Sequence, residues 1–63
     1  MPFLHVHILE GRDEALRAKL IAALTDTICD TLGAPREDVR ILIDEMPKEN
    51  WGIGGKSAKA LGR

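Results

Sequence analysis

Only one stretch of this chain is suited to a long helix, and it lies between two stretches that read as strands. That order restricts the fold more than any other property of the sequence. The helix is expected from about Glu14 to Leu32. Asp13 is a good N-cap, Glu14 adds negative charge to the first turn, and Gly33 followed by Pro35 stops the helix. Leu16, Leu20, Ile21, Leu24, Ile28 and Leu32 form a broad apolar stripe that drifts round the helix, because their main spacing is four and not 3.6. Ala15, Ala18, Ala22 and Cys29 form a neighbouring face of small side chains. The stripe is expected to cover the chain's own sheet, and the small face to let another element approach closely.

From Leu4 the N-terminal stretch alternates as a strand does. Leu4, Val6 and Ile8 fall on one face, and Phe3, His5, His7 and Leu9 on the other. Glu10-Gly11 breaks this strand. Pro35-Arg36-Glu37-Asp38 predicts a turn with short helical character. The second strand is expected over Val39–Met46, apolar on both faces at its centre and so buried from both sides. Two strands joined by a helix of this length make a parallel β-α-β unit with a right-handed crossover. Pro47 ends the second strand, Lys48-Glu49-Asn50 is a polar loop, and the glycine-rich tail from Trp51 predicts a tight hairpin. The fold class is therefore α/β, one small domain over 1–63.

Such a unit does not stand alone. Two-stranded sheets are not independently stable in water, and their open edges invite further pairing. With 63 residues the core is small, and a single cysteine excludes an internal disulfide or a cysteine-rich zinc site. Stability is expected to come from a closed symmetric oligomer. A net charge of −1 gives no long-range attraction to nucleic acid or to an anionic membrane. No apolar run approaches the ~20 residues that span a bilayer, and no signal-peptide pattern precedes the first strand. The expectation is a soluble, cytoplasmic protein.

The second residue carries the most distinctive chemistry. Proline after Met1 is small enough that methionine removal is expected, which leaves Pro2 with a free secondary amine. An α-amino group titrates closer to neutrality than lysine, and apolar surroundings with nearby arginines push it lower still, toward the range of an effective general base. Taken with His7-Ile8-Leu9-Glu10-Gly11-Arg12, the Ala34-Pro35 turn, Arg40 and Trp51-Gly52-Ile53-Gly54-Gly55, the chain resembles the 4-oxalocrotonate tautomerase family of the tautomerase superfamily. The resemblance runs over essentially the whole chain.

It implies a homohexamer, a trimer of dimers with active sites at subunit boundaries, acting in aromatic hydrocarbon catabolism without cofactor or metal. Pro2 matches the proline that acts as general base and then general acid on a 2-hydroxymuconate-type substrate. Arg12 matches the arginine that binds the distal carboxylate. Arg40 matches the arginine, supplied by a neighbouring subunit, that engages the 2-hydroxy end. Trp51 stands where familiar members carry phenylalanine in the apolar wall beside the proline; it is larger and adds an N–H donor. The roles suit the chemistry, since a guanidinium can donate two parallel hydrogen bonds to a carboxylate and stays charged.

Other readings follow from the same residues. A dehalogenase or hydratase could use the same proline, but such enzymes place a water-activating carboxylate near the apolar wall, and Trp51 to Gly55 contains none. A non-catalytic assembly module is the reading if Met1 is retained. His5 and His7 share a strand face, but no third histidine or thiolate joins them, so they read as structural or interface residues. Cys29 reads as a packed thiol. Asn50 to Ser57 ends in Gly-Lys-Ser like a phosphate-binding loop, yet Asn50 replaces the first glycine and too little chain follows for the helix such a loop must open.

Overall fold

The computed structural model describes residues 1–63. Strand β1 (Phe3–Leu9) leads through a short loop to helix α1 (Glu14–Leu32), a 3-10 turn (Arg36–Asp38) and strand β2 (Arg40–Met46). A second 3-10 turn (Lys48–Asn50) precedes a small hairpin of β3 (Gly52–Ile53) and β4 (Lys56–Ser57). β1 and β2 pair in parallel, with Phe3 opposite Arg40, His5 opposite Leu42 and His7 opposite Asp44. The β-α-β unit and the hairpin are as expected, and β2 starts one residue later than predicted because Val39, though extended, belongs to the preceding turn.

The helix ends are fixed by the residues that announced them. Leu16 N–H donates to the Asp13 carboxylate at 2.9 Å. Gly33 takes a left-handed conformation (φ 71°) and its N–H donates to the Cys29 carbonyl at 2.9 Å. The hairpin turns on Gly54 and Gly55, both at positive φ (59° and 91°). Two successive positive values suit the twist of a two-residue hairpin, and glycine reaches them without strain.

Coverage of the sheet is one-sided. Leu4, Val6, Ile8, Ile41, Ile43 and Glu45 are half-buried, while Phe3, His5, His7, Arg40, Leu42 and Asp44 are exposed. Within one chain β2 is thus covered on one face only, not on both. The apolar helix stripe also divides. Leu20, Leu24 and Ile28 are half-buried, with Arg17 and Cys29 beside them, but Leu16, Ile21 and Leu32 stay 54%, 40% and 67% exposed. Cys29 lies in the covered stripe and not on the open small-residue face, which Ala15, Ala18 and Ala22 form. A stripe wider than the sheet beneath it cannot bury all its members on one neighbour.

The chain is also far from spherical. Its radius of gyration is 14.5 Å, against about 11 Å for a compact chain of this length. Its exposed area of 4607 Å² exceeds the roughly 4,000 Å² typical of a folded monomer of this mass. Ala58 is the one fully buried residue. No helix is long and apolar enough to cross a membrane.

Candidate active site

Parallel pairing decides where the four singled-out residues lie. Both strands begin at one end of the sheet. There the Arg40 N–H donates to the Pro2 carbonyl at 3.0 Å, which continues the ladder one step beyond β1. Pro2 and Arg40 are therefore neighbours through the backbone. Pro2 is half-buried, and Met1, which acylates its nitrogen, is 80% exposed.

Arg12 and Trp51 lie at the other end. The ladder closes there with Glu10 N–H donating to the Met46 carbonyl at 2.9 Å. The Glu10 carboxylate then accepts from Lys48 N–H at 3.0 Å and ties the loop that carries Trp51 to the end of β1. The Trp51 backbone N–H donates to the Lys48 carbonyl, and its own carbonyl accepts from Ala58 N–H at 2.7 Å, so the tail folds back beside Trp51, which is half-buried. Seven strand residues separate the two ends, a span of about 23 Å at 3.3 Å per residue. One chain cannot bring Pro2 and Arg12 to the same small molecule, and by itself it forms no pocket.

The arginines divide by partner. Arg36 pairs with Asp26 at 2.5 Å; that hydrogen bond first, and the carboxylate charge second, raise the guanidinium's pKa above its ordinary value. Arg17 pairs with Glu45. Arg12 and Arg40 have no carboxylate partner. Arg12 donates to the Leu9 carbonyl at 2.9 Å, and Arg40 donates to the carbonyls of Glu37 and Val39. A guanidinium that bonds only carbonyls keeps its full charge to offer an incoming carboxylate.

Arg17 was not anticipated. Its guanidinium joins the Glu45 carboxylate and also donates to the Arg12 carbonyl at 2.7 Å. It thereby fixes the backbone of Arg12 to β2 through the first turn of α1. The signal was present in the sequence: Arg17 interrupts the covered stripe of the helix, and Glu45 falls in step with Ile41 and Ile43 on the covered face of β2. Two opposite charges facing each other across an apolar layer imply a pair. Arg17→Ala leaves the half-buried Glu45 carboxylate without its partner. It is expected to lower stability by about 1–2 kcal/mol and to raise KM by loosening Arg12. Urea midpoints at fixed protein concentration and initial rates check this, and unchanged KM would show that Arg12 needs no such support.

Asp44 was missed as well. Its carboxylate stands beside both histidines of β1, 3.5 Å from His7 Nδ1 and 3.9 Å from His5 Nε2. The strand register could not be read from β1 alone, so the third group was invisible there.

Comparison with known proteins agrees with this architecture. Residues 2–61 match the family described as tautomerase enzyme. A 2-hydroxymuconate tautomerase of Pseudomonas putida is 48% identical over 63 residues, which span the full length of both chains. Among solved structures, a 4-oxalocrotonate tautomerase isozyme from Methylibium petroleiphilum has a TM-score of 0.94 at 50% identity, covering 98% of this chain and 100% of its own. The heterohexamer 4-oxalocrotonate tautomerase from Chloroflexus aurantiacus J-10-fl has a TM-score of 0.91 at 34% identity, covering 97% and 98%. With a family match over almost its whole length and close relatives aligned end to end, this chain belongs to the tautomerase family of isomerases.

Proposed function

We propose that this enzyme converts a 2-hydroxymuconate-type dienoate to the corresponding 2-oxo enoate, with the Pro2 amine as the base and acid once Met1 is removed. The observation that carries this reading is the combination, in a tautomerase chain, of an amino-terminal proline with two guanidiniums, Arg12 and Arg40, that have no carboxylate partner. The Pro2 amine takes the proton of the 2-hydroxyl group, and electron density moves along the conjugated chain. A carbon of that chain then receives the proton from the prolinium, which restores the amine. No group is gained or lost, and the proton transfer as written calls on neither cofactor nor metal.

Because Pro2 and Arg12 lie at opposite ends of a chain, the site combines them from different chains. We infer a homohexamer with sites at the boundaries; the heterohexameric relative supports the number of chains, and one chain here supplies every group the reaction needs. Arg12 holds the distal carboxylate. Arg40, whose guanidinium is turned back to its own chain's carbonyls, serves a neighbouring site at the 2-hydroxy end. Trp51 supplies apolar wall that keeps water from the amine. A cytoplasmic location and a place in aromatic catabolism accord with this reading.

The two arginines have different duties. Arg12→Ala is expected to raise KM about 10- to 100-fold for a dicarboxylate, the cost of one charged hydrogen-bonding partner, and to affect a monocarboxylate far less. Arg40→Ala is expected to lower kcat about 100-fold or more, because charge grows on the 2-oxygen in the transition state. Ultraviolet assays of 2-hydroxymuconate and a monocarboxylate analogue test the proposal. Equal losses for both variants on both substrates would overturn these assignments.

A further inference from the structure

The sheet face opposite the helix, open in the single chain and turned toward neighbouring chains in the inferred hexamer, carries a second constellation, independent of the residues placed in the tautomerase reaction. His5 and His7 are two residues apart on β1 and so project to the same face. Parallel register sets Asp44 of β2 opposite His7. The imidazoles lie 4.4 Å apart, centroid to centroid, tilted by 32°. One oxygen of Asp44, Oδ2, faces both rings, 3.5 Å from His7 Nδ1 and 3.9 Å from His5 Nε2. These separations exceed those of ordinary hydrogen bonds, so the three groups converge without satisfying one another. Their ligand atoms all lie within 4.8 Å of each other.

Two of the three separations approach those of a metal site. Zinc binds imidazole nitrogen and carboxylate oxygen at about 2.0–2.2 Å. At the tetrahedral angle, two ligands about 2.1 Å from a common centre stand about 3.4 Å apart. The His7–Asp44 separation is already there, and the His5–Asp44 separation is within about half an ångström of it. Two imidazoles and a carboxylate form the donor set of a three-ligand zinc site with an open fourth position. The two imidazole nitrogens, within 4.8 Å of each other, would draw closer by rotation of exposed side chains on paired strands.

We propose that His5, His7 and Asp44 form a binding site for a borderline divalent transition-metal ion such as Zn²⁺, which clips β1 to β2 on the sheet face opposite the helix. The ion serves the sheet and not proton transfer. Two-stranded pairing is the weak point of this fold, and a ligand bound only by the folded state stabilises it by mass action. Cys29 is half-buried on the helix side of the sheet and takes no part.

The test is calorimetric titration of the assembled full-length protein with Zn²⁺, alongside thermal melts with and without the ion. Saturable binding of one ion per chain and a higher melting temperature are expected. His7→Ala and Asp44→Asn should each weaken binding at least tenfold. Asp44→Asn preserves side-chain size, and far-ultraviolet circular dichroism confirms that its strands still pair. Co²⁺ gives a second readout, since bound in this site it should show the intense visible absorption of a tetrahedral centre, absent from both variants. Zn²⁺ affinity unchanged in both variants, or no saturable binding below millimolar concentration, would overturn the proposal.

Discussion

Protein that retains Met1 is expected to turn over 2-hydroxymuconate at least about a thousandfold more slowly than protein that begins at Pro2, within the range a positioned base contributes. With Met1 in place, the Pro2 nitrogen is part of a tertiary amide and has no basic lone pair. After its removal the same nitrogen is a secondary amine just ahead of β1, on a residue whose carbonyl accepts from the Arg40 N–H. Desolvation and nearby positive charge disfavour the protonated form of an amine, which is what the proposed base requires. The resting amine can then accept a proton, and its conjugate acid is strong enough to return one to carbon. Pro2→Ala keeps an amine, now primary and on a freer backbone, and should preserve part of the activity. It also opens the way to Schiff-base formation with a 2-oxo acid. Intact mass establishes which form is present, and rates are compared across pH. Full activity in the Met1-retaining form would exclude Pro2 as the base and leave the chain an enzyme of another mechanism.

Much of the fold was legible because the strongest signals were local. Asp13 and Gly33 bound the helix through hydrogen bonds made within a few residues, and Gly54-Gly55 sets the hairpin by backbone preference alone. What stayed hidden depends on where elements meet. Periodicity grouped Leu16, Ile21 and Leu32 with Leu20, Leu24 and Ile28, because it reports which residues are apolar and not how wide the covering surface is. Arg17 had no assigned role until β2 placed Glu45 before it. His5 and His7 lacked a third partner until parallel register brought Asp44 alongside. At the proposed site the residue types were readable, since their chemistry is intrinsic. Their separation into two pairs at opposite ends of the sheet became visible only with the pairing of the strands.

That separation makes folding, assembly and activity one event, and Leu42 is where they are expected to fail together. It sits at the centre of β2 on the uncovered face, 45% exposed in the single chain. Phe3, on the same face, is 63% exposed, and Leu16 and Leu32 on the helix also lack cover. A chain with one fully buried residue gains too little from its own contacts to offset the conformational entropy lost on folding. Neighbouring chains must therefore cover this face. Leu42→Asp removes about 1.5–3 kcal/mol of apolar burial per chain and adds the cost of desolvating a carboxylate, several kcal/mol more. Symmetry repeats both in every copy. The expected result is loss of the hexameric mass by light scattering, loss of most far-ultraviolet circular dichroism at micromolar concentration, and no measurable turnover. Leu42→Ile conserves volume, should cost less than about 1.5 kcal/mol, and should remain assembled and active. In the unsubstituted enzyme, dilution should lower melting temperature and activity in parallel, since assembly shifts stability by mass action. A Leu42→Asp chain that stays monomeric with its full secondary structure would show that the β-α-β unit is stable by itself. Folding would then precede assembly, and only the shared active site would depend on it.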